Sequence, residues 1–297
     1  MAGKAASAND NIGYTAAQLG IDDLLAAIPA LQGTALVSEQ VAQVDSKDMC
    51  FDIWRQLALR CAHWLALEDV SGLVVTHGTD TLEETAYFLQ SVLGPAKPVV
   101  LTCAMRPATA LLPDGPQNIV DALAVAGAEG ARGVLAVCAG TIHGAQDVAK
   151  QHTYRLDAFS SGDAGPIGYV EEGRLRLLRG WPSSDVGAPA LLRKFTAATH
   201  WPRVEIVMNY AGANAAIVEA LIAQGVDGLV AAGTGNGTLH HELEAALLDA
   251  QSRGVKVVRA TRCAQGRVLS PSGARLPDSD GLSPVKARIA LMLELLA

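Results

Sequence analysis

Short apolar runs alternate along the chain with longer stretches in which apolar residues recur every three or four positions. The short runs are typical of buried strands, and the longer stretches are typical of helices with one buried face. We predict strands over residues 40–44, 72–75, 98–103, 133–138, 203–208, 228–231 and 255–259. We predict helices over residues 21–30, 46–67, 82–93, 117–128, 213–224, 240–253 and 285–297. This alternation of strand and helix predicts an α/β fold, with a parallel or mixed sheet flanked by helices.

The alternation is interrupted between residues 181 and 203. This stretch contains Pro182, Ser183, Gly187 and Pro189, which favour turns over regular elements. We therefore expect a larger N-terminal α/β catalytic domain over residues 1–180, an interdomain linker over 181–203 and a smaller C-terminal α/β domain over 204–297.

Composition narrows the class of protein. Half of the 297 residues are hydrophobic and 18% are charged, which excludes a disordered or fibrous chain. The net charge of -7 gives no basic surface for nucleic acid, so no nucleic-acid partner is expected. No apolar stretch approaches the roughly 20 residues that a membrane helix needs, so no membrane partner is expected either. The five cysteines form no Cys-x-x-Cys pair and the seven histidines have no paired-ligand spacing, so no metal site is predicted.

Within residues 72–89 the pattern changes from strand to helix across a polar turn, and this segment says most about function. Its apolar run stops at a polar turn, residues 76–81, and a helical pattern follows. In a parallel sheet such a turn lies at the carboxyl end of a strand, where ligands bind. Thr79 and Asp80 offer a hydroxyl and a carboxylate for acyl chemistry, and Gly78 lets the backbone turn sharply and expose its amides. The structural alternative is helix capping, because Thr81 to Glu84 has the capping-box pattern and Asp80 is also a suitable N-cap.

Two other segments carry candidate residues with structural alternatives. Lys150 follows the strand 133–138, and a desolvated lysine beside a carboxylate can carry protons in catalysis. A lone lysine is more often a solvated surface charge. Ser46 and Lys47 follow the strand 40–44 and open a helix, where Ser46 would serve as the N-cap.

A glycine-rich loop at residues 233–237 follows the strand 228–231. Its spacing is Gly-x-Gly-x-Gly, whereas dinucleotide sites have Gly-x-Gly-x-x-Gly followed by an acidic residue. A nucleotide-dependent enzyme is therefore a weak alternative, which a thermal-shift experiment with NAD or ATP would test. The loop suits a polar small-molecule site to which Asn236 contributes, and its structural alternative is a plain connection.

In their order along the chain, these motifs resemble the bacterial L-asparaginases of the asparaginase/glutaminase family. The most specific match is the family's second signature, at residues 76–86. Shorter matches occur at residues 13–15, 46–49, 103–107, 114–116, 147–150 and 233–237. The resemblance covers nearly the whole chain and implies the family's two-domain fold.

The resemblance implies hydrolysis of the side-chain amide of L-asparagine to L-aspartate and ammonia, with L-glutamine as a side substrate. It implies a threonine acyl-enzyme and no cofactor. The family's Thr-Lys-Asp proton relay matches Thr79, Lys150 and Asp80. A threonine hydroxyl is a poor nucleophile until a neighbouring group accepts its proton, which gives the relay a physical purpose. Backbone N–H groups near Thr79 and Ala104 would stabilise the oxyanion.

The family's substrate-binding positions match Tyr14, Ser46, Lys47, Gly78, Thr79, Asp80, Ala104 and Asn236. Tyr14 matches a tyrosine on a mobile loop that closes over the substrate. Asn236 matches a residue that reaches into a neighbouring subunit, so a homotetramer built as a dimer of dimers is expected. The disulfide of secreted relatives near Thr79 has no counterpart, which favours a cytoplasmic protein; an upstream region with a signal peptide would instead make it periplasmic.

The sequence also departs from the family pattern. The family's first signature, Thr-Gly-Gly-Thr-x-Ala-Gly, carries the primary nucleophilic threonine, and Met1-Ala2-Gly3 aligns with its last residues. We expect that the native protein extends upstream of Met1; the alternative is a shortened, catalytically crippled homologue that binds amino acids or only assembles. We expect this sequence alone to show little asparaginase activity, and a rate within about tenfold of an extended version would contradict that. Lys47 stands where the family often has glutamine, which leaves the preference between asparagine and glutamine open.

Overall fold

A computed structural model describes residues 3–7, 9–10, 12–183 and 187–296. The chain divides into two units, Met1–Leu192 and Arg193–Ala297. The division lies within a helix, Ala188–Ala197, so regular structure is present inside the segment 181–203 that we expected to be a linker. Residues 184–186 of that segment lie outside the described residues.

The first unit contains ten strands and four complete helices among the described residues. The strands are β1 (Lys4–Ala5), β2 (Tyr14–Thr15), β3 (Leu73–Thr76), β4 (Val99–Thr102), β5 (Val134–Cys138), β6 (Thr141–Gly144), β7 (Ala149–Lys150), β8 (Phe159–Ser160), β9 (Gly168–Glu171) and β10 (Arg174–Leu177). The helices are α1 (Ile21–Ala26), α2 (Phe51–Leu65), α3 (Leu82–Leu93) and α4 (Gly115–Ala126), and α5 (Ala188–Ala197) follows them.

Six of these strands form one mixed sheet in the order β10-β9-β6-β5-β4-β3. Strands β3, β4 and β5 are parallel, and the other neighbours are antiparallel. Every residue of β4 and β5 is buried, as continuous apolar runs in central parallel strands require. The edge strand β10 alternates Arg with Leu, and such charges discourage pairing with another sheet edge.

The second unit has a three-stranded parallel sheet in the order β11-β12-β13. Its elements are β11 (Val204–Met208), α6 (Ala216–Ala223), β12 (Gly228–Gly233), α7 (His241–Ser252), β13 (Lys256–Thr261) and α8 (Pro284–Leu295). Apolar residues of α6 and α7 pack with those of the three strands in one core, and α8 also contacts all three strands. Together the two units confirm the predicted fold class.

Three predicted elements differ from the structure. Residues 40–44 form no strand. Gln40 accepts the N–H of Ile21 at the start of α1, and Gln43 donates to the carbonyl of Ala17, so side-chain bonds hold this segment where a sheet ladder was expected. The helix predicted at 21–30 ends at Ala26, and a 3-10 turn begins at Pro29, which cannot continue an α-helix. The helix predicted at 46–67 begins only at Phe51, after a separate 3-10 turn, Ser46–Asp48.

Candidate active site

Two loops of the first unit meet because their strands are parallel neighbours. Thr76 ends β3 opposite Thr102, which ends β4, so the loops that follow leave the same edge of the sheet. A cavity of about 100 Å³ lies there. Six of the predicted substrate-binding residues line it: Tyr14, Ser46, Gly78, Thr79, Asp80 and Ala104.

Lys150 on β7 contacts both functional groups of the turn after β3. Its Nζ donates to Thr79 Oγ1 over 2.8 Å and to Asp80 Oδ1 over 2.7 Å. The Lys150 side chain is 20% exposed and that of Asp80 is 51% exposed. The hydrogen bond from Lys150 holds the pKa of Asp80 below its usual value, against the opposing effect of partial burial. The structure thus brings a hydroxyl, an amine and a carboxylate into one hydrogen-bonded group at the cavity wall.

Glu83 fixes the backbone of the strand that carries the lysine. Its Oε1 accepts a hydrogen bond from the backbone N–H of Lys150 over 3.1 Å. Since Glu83 lies in the first turn of α3, the helix that follows Thr79 and Asp80 also anchors Lys150. The sequence interpretation treated Glu83 only as part of a capping pattern.

Ser46 ties the turn after β3 to the neighbouring 3-10 turn. Its Oγ accepts the backbone N–H of Asp80 over 3.2 Å, and its carbonyl accepts the hydroxyl of Thr81 over 2.7 Å. The capping interpretations are therefore wrong for both residues: the Thr81 hydroxyl does not cap α3, and Asp45, not Ser46, caps the 3-10 turn. A Cβ built on Gly78 would lie 2.3 Å from Ser46 Oγ, so this contact requires glycine.

A buried series of hydrogen bonds connects α2 and α3 to the turn after β3. Trp54 Nε1 donates to Thr85 Oγ1 over 2.9 Å, and Thr85 Oγ1 lies 3.0 Å from His77 Nε2. His77 Nδ1 lies 2.7 Å from the carbonyl oxygen of Gly78. Burial lowers the pKa of His77, which favours the neutral ring that donates from Nδ1 and accepts at Nε2. The spacing of the histidines in the sequence gives no sign of this supporting role.

Tyr14 lies on β2, which pairs with β1, and it borders the cavity while remaining 46% exposed. Partial burial raises the pKa of its phenol, and the negative charges of Asp80 and Asp45 add to that effect. The phenol is therefore protonated near neutral pH and can donate a hydrogen bond.

Lys47 and Asn236 are engaged elsewhere. The ammonium of Lys47 pairs with the carboxylate of Asp48, and Lys47 is not among the residues that line the cavity. Asn236, in the second unit, uses both ends of its amide on Leu269, donating to its carbonyl over 3.0 Å and accepting its N–H over 2.7 Å.

The glycine-rich loop at residues 233–237 is a tight turn. Thr234 and Thr238 exchange backbone hydrogen bonds across it, and a Cβ on Gly233 would lie 2.5 Å from the Gly237 carbonyl carbon. The glycines therefore permit a close backbone approach. The next helix begins at His241, after its own cap at His240, so the loop does not open directly into a helix N-terminus.

Within residues 3–7, 9–10, 12–183 and 187–296, no group of three or more His, Cys, Asp or Glu side chains is arranged to hold a metal ion. Over the same ranges, none of the helices combines the length and the apolar character that crossing a membrane requires.

Family models match both halves of the chain. A model of the asparaginase N-terminal domain matches residues 1–182, and a model of the glutaminase/asparaginase C-terminal domain matches residues 203–297. The chain belongs to the asparaginase family. The resemblance inferred from the motifs is thereby confirmed.

Individual asparaginase-family members are similar over nearly all of the chain. L-asparaginase 2 of Escherichia coli (strain K12) is 37% identical over 300 residues, which cover 95% of this chain and 82% of that protein. Glutaminase-asparaginase of Pseudomonas fluorescens biotype A is 37% identical over 308 residues, with 99% and 83% covered. The crystal structure of a probable cytoplasmic L-asparaginase from Campylobacter jejuni has a TM-score of 0.91 at 37% identity, covering 99% of this chain and 91% of that one.

The roles of individual residues in this asparaginase-family site stay predictions. Thr79, Asp80 and most of the predicted binding residues line one cavity, and Lys150 contacts Thr79 and Asp80, whereas Asn236 lies in the other unit. The expectation about the first family signature concerns Met1 and Ala2, which lie outside the described residues.

Proposed function

We propose that the protein is an amidohydrolase that converts L-asparagine to L-aspartate and ammonia, with L-glutaminase side activity. Family membership and the names of the relatives support this substrate class. The observation that carries the proposal is the contact of Lys150 Nζ with Thr79 Oγ1 and Asp80 Oδ1 at the cavity wall.

The proposed chemistry has two steps. A threonine hydroxyl attacks the side-chain amide carbon, the C–N bond breaks, and an ester forms as ammonia leaves. Water then attacks the ester, and L-aspartate leaves as the hydroxyl is restored. In both steps Lys150, held by Asp80, takes up the proton of the attacking oxygen and returns one to the leaving group. No cofactor takes part in either step.

The groups at the cavity suit the α-substituents of an amino acid. Asp80, half exposed and carrying a lowered pKa, supplies a negative charge for the α-ammonium. Ser46, Gly78 and the turn after β3 supply hydroxyl and amide donors for the α-carboxylate. Tyr14 closes over the bound substrate in this proposal. Asn236 would serve the site of a neighbouring subunit, and Lys47 would contact substrate only after leaving Asp48.

The relay is tested by removing each member. In a chain that carries the family's first signature, we expect Thr79→Val, Lys150→Met and Asp80→Ala each to lower kcat for L-asparagine by at least about a hundredfold, the usual contribution of general acid–base groups. Lys194→Met, which removes an exposed lysine, serves as the control and should leave kcat unchanged. Release of ammonia is measured, and mild effects from all three variants would disprove the relay.

The alternative, a homologue that binds amino acids without hydrolysing them, predicts a different outcome. Calorimetry would then show L-aspartate binding to a protein that releases no ammonia from L-asparagine. A chain translated from any in-frame upstream start codon should be assayed in parallel. If only this longer chain releases ammonia, the missing activity comes from the N-terminus and not from the residues of the cavity.

We also propose a cytoplasmic location. The described cysteines are free thiols, and three of them, Cys61, Cys103 and Cys138, are buried. Unpaired thiols are typical of a reducing compartment, and the structural relative from Campylobacter jejuni is called cytoplasmic. Cell fractionation followed by immunodetection tests this, and recovery in a periplasmic fraction would contradict it.

A further inference from the structure

The loop that follows β4 places Ala104 in the cavity wall. This loop has no regular secondary structure, yet Ala104 is only 8% exposed and lies in the wall with Thr79 and Asp80. A methyl side chain offers no polar chemistry, so any polar contact that Ala104 makes with a substrate comes from its backbone N–H or C=O.

Asp114 holds the peptide on the carboxyl side of Ala104. Its Oδ2 accepts the N–H of Met105 and its Oδ1 accepts the N–H of Arg106, both over 2.9 Å. Asp114 occupies the N-cap position of α4, but its side chain makes no capping hydrogen bond. Both oxygens of the carboxylate are therefore committed to the loop.

Asn118, one turn further along α4, holds the peptide on the amino side of Ala104. Its Nδ2 donates to the carbonyl of Cys103 over 2.8 Å and also to Asp114 Oδ2 over 3.2 Å. Its Oδ1 accepts the N–H of Ala139 over 3.0 Å. The buried side chain of Asn118 thus ties the loop after β4 to the end of β5.

These anchors set the direction of the two polar groups of Ala104. In a trans peptide the C=O and the N–H point in opposite directions. Asn118 holds the C=O of the Cys103–Ala104 peptide, so the N–H of Ala104 points away from α4. Asp114 holds the N–H of the Ala104–Met105 peptide, so the C=O of Ala104 also points away. Within the described part of the chain neither group of Ala104 makes a hydrogen bond, although buried backbone groups rarely stay unpaired.

We propose that Asp114 and Asn118 are positioning residues that aim the C=O and N–H of Ala104 at the scissile amide of the substrate. This rests on the proposed function and deepens it. The C=O of Ala104 accepts the amide N–H of L-asparagine, and the N–H of Ala104 donates to the carbonyl oxygen that becomes negative during attack. Asp114 orients the C=O of Ala104, and Asn118 orients its N–H.

The two contacts differ in the substrate that they recognise. The β-methyl ester of L-aspartate keeps the carbonyl oxygen of L-asparagine but has no amide N–H. If the C=O of Ala104 is displaced, kcat/KM should therefore fall for the amide alone. If the N–H of Ala104 is displaced, kcat/KM should fall for the amide and the ester alike. A general loosening of the fold would penalise both substrates equally.

The test compares kcat/KM for L-asparagine and for the ester in a chain that carries the family's first signature, because little activity is expected without it. We expect Asp114→Asn to lower the amide-to-ester ratio of kcat/KM at least about tenfold, the effect of one lost oriented hydrogen bond. Asp121→Asn is the matched control, since it makes the same change at a buried position of the same helix without touching the loop, and it should leave the ratio unchanged. An unchanged ratio in a folded Asp114→Asn protein would overturn the inference.

Asn118→Asp provides a second variant. It retains an acceptor for the N–H of Ala139 but loses the donor to the Cys103 carbonyl, so kcat/KM should fall by at least about tenfold for both substrates. Circular dichroism and the Tm establish that each variant is folded. A fall in kcat/KM for L-asparagine alone in this variant would contradict the role assigned to the N–H of Ala104.

A binding measurement separates this inference from the proposed function. With selective ¹⁵N-alanine labelling, the amide resonance of Ala104 should shift when L-asparagine is added to the wild-type protein, and should shift much less in Asn118→Asp. A shift without ammonia release would disprove the proposed hydrolysis while supporting the positioning role. An Ala104 resonance that does not respond to L-asparagine would overturn the positioning role itself.

Discussion

Asp80 shows how one residue acquires several roles in the site. Its carboxylate accepts from Lys150, its backbone N–H donates to Ser46, and its charge reaches the phenol of Tyr14. The bond from Lys150 to the carboxylate and the backbone bond to Ser46 give this residue a defined orientation, although its side chain is half exposed. Any change at Lys150 should therefore be detectable at Asp80.

The hydrogen bond from Lys150 is the largest contribution to the lowered pKa of Asp80, so Lys150→Met should raise that pKa. A lowered pKa in the folded state stabilises the protein above the unfolded pKa of about 3.9, and this stabilisation is lost as the pH falls through the folded value. Exposure to solvent keeps the effect small. A ¹³C carboxylate titration measures both pKa values, and equal values in the two proteins would contradict the hydrogen bond.

Individual residues also show what the sequence could and could not predict. Thr79 and Asp80 are adjacent, so their pairing at a strand end could be inferred locally. Lys150 lies 70 residues from Asp80, and only the family resemblance connected them. The sequence assigns no positioning role to Asp114, which lies in a matched family segment, or to Asn118. A polar residue at a helix start has capping as its ordinary explanation, and no local pattern shows that its partner is a preceding loop.

At the scale of elements, strong local signals gave correct bounds. Helix α3 begins at Leu82 and ends at Leu93 as predicted, because a buried apolar face is followed by Gly94 in the left-handed conformation that ends helices. The apolar runs of β4 and β5 were likewise recognised. The helix start predicted at Ser46 was wrong because Ser46 bonds to the turn after β3, a contact that sequence spacing does not reveal.

Weak local signals left other elements unpredicted. Strands β6, β9 and β10 have four residues each and carry polar or charged side chains. Their order is set by antiparallel pairing with β5 and with one another, which depends on distant partners more than on intrinsic preference. The sequence therefore allowed a parallel or a mixed sheet, and the antiparallel pairing in the structure decides for the mixed one.

The turn between β3 and α3 should tolerate no side chain at Gly78. In Gly78→Ala the new Cβ would lie 2.7 Å from Ser46 Cβ, so the turn must shift and carry Thr79 with it. We expect kcat for L-asparagine to fall about a hundredfold, as misplacement of catalytic groups by about 1 Å does. Gly180→Ala is the matched control, because no atom lies within 4 Å of its new Cβ. Equal activity in the two variants would show that the turn adapts.

At the scale of the whole chain, each unit has its own sheet and its own core. The residues of the proposed relay lie wholly in the first unit, and Asn236 lies in the second. The sequence could predict both units from their alternating elements. Association of several chains could be inferred only from the family resemblance, because it depends on surfaces that no periodic pattern marks.

We predict a homotetramer, because Asn236 matches a family position that serves a neighbouring subunit. The second unit exposes large apolar side chains, Met208, Tyr210 and Ile217, between 48% and 53%, and association would remove such surface from water. Light scattering after size exclusion should give about four times the 30.8 kDa mass of one chain. Ile217→Asp should lower that mass, whereas Glu219→Gln, an exposed change on the same helix, should not. A single-chain mass for the wild-type protein at micromolar concentration would contradict the tetramer, and an unchanged mass for Ile217→Asp would exclude this face of α6 from the interface.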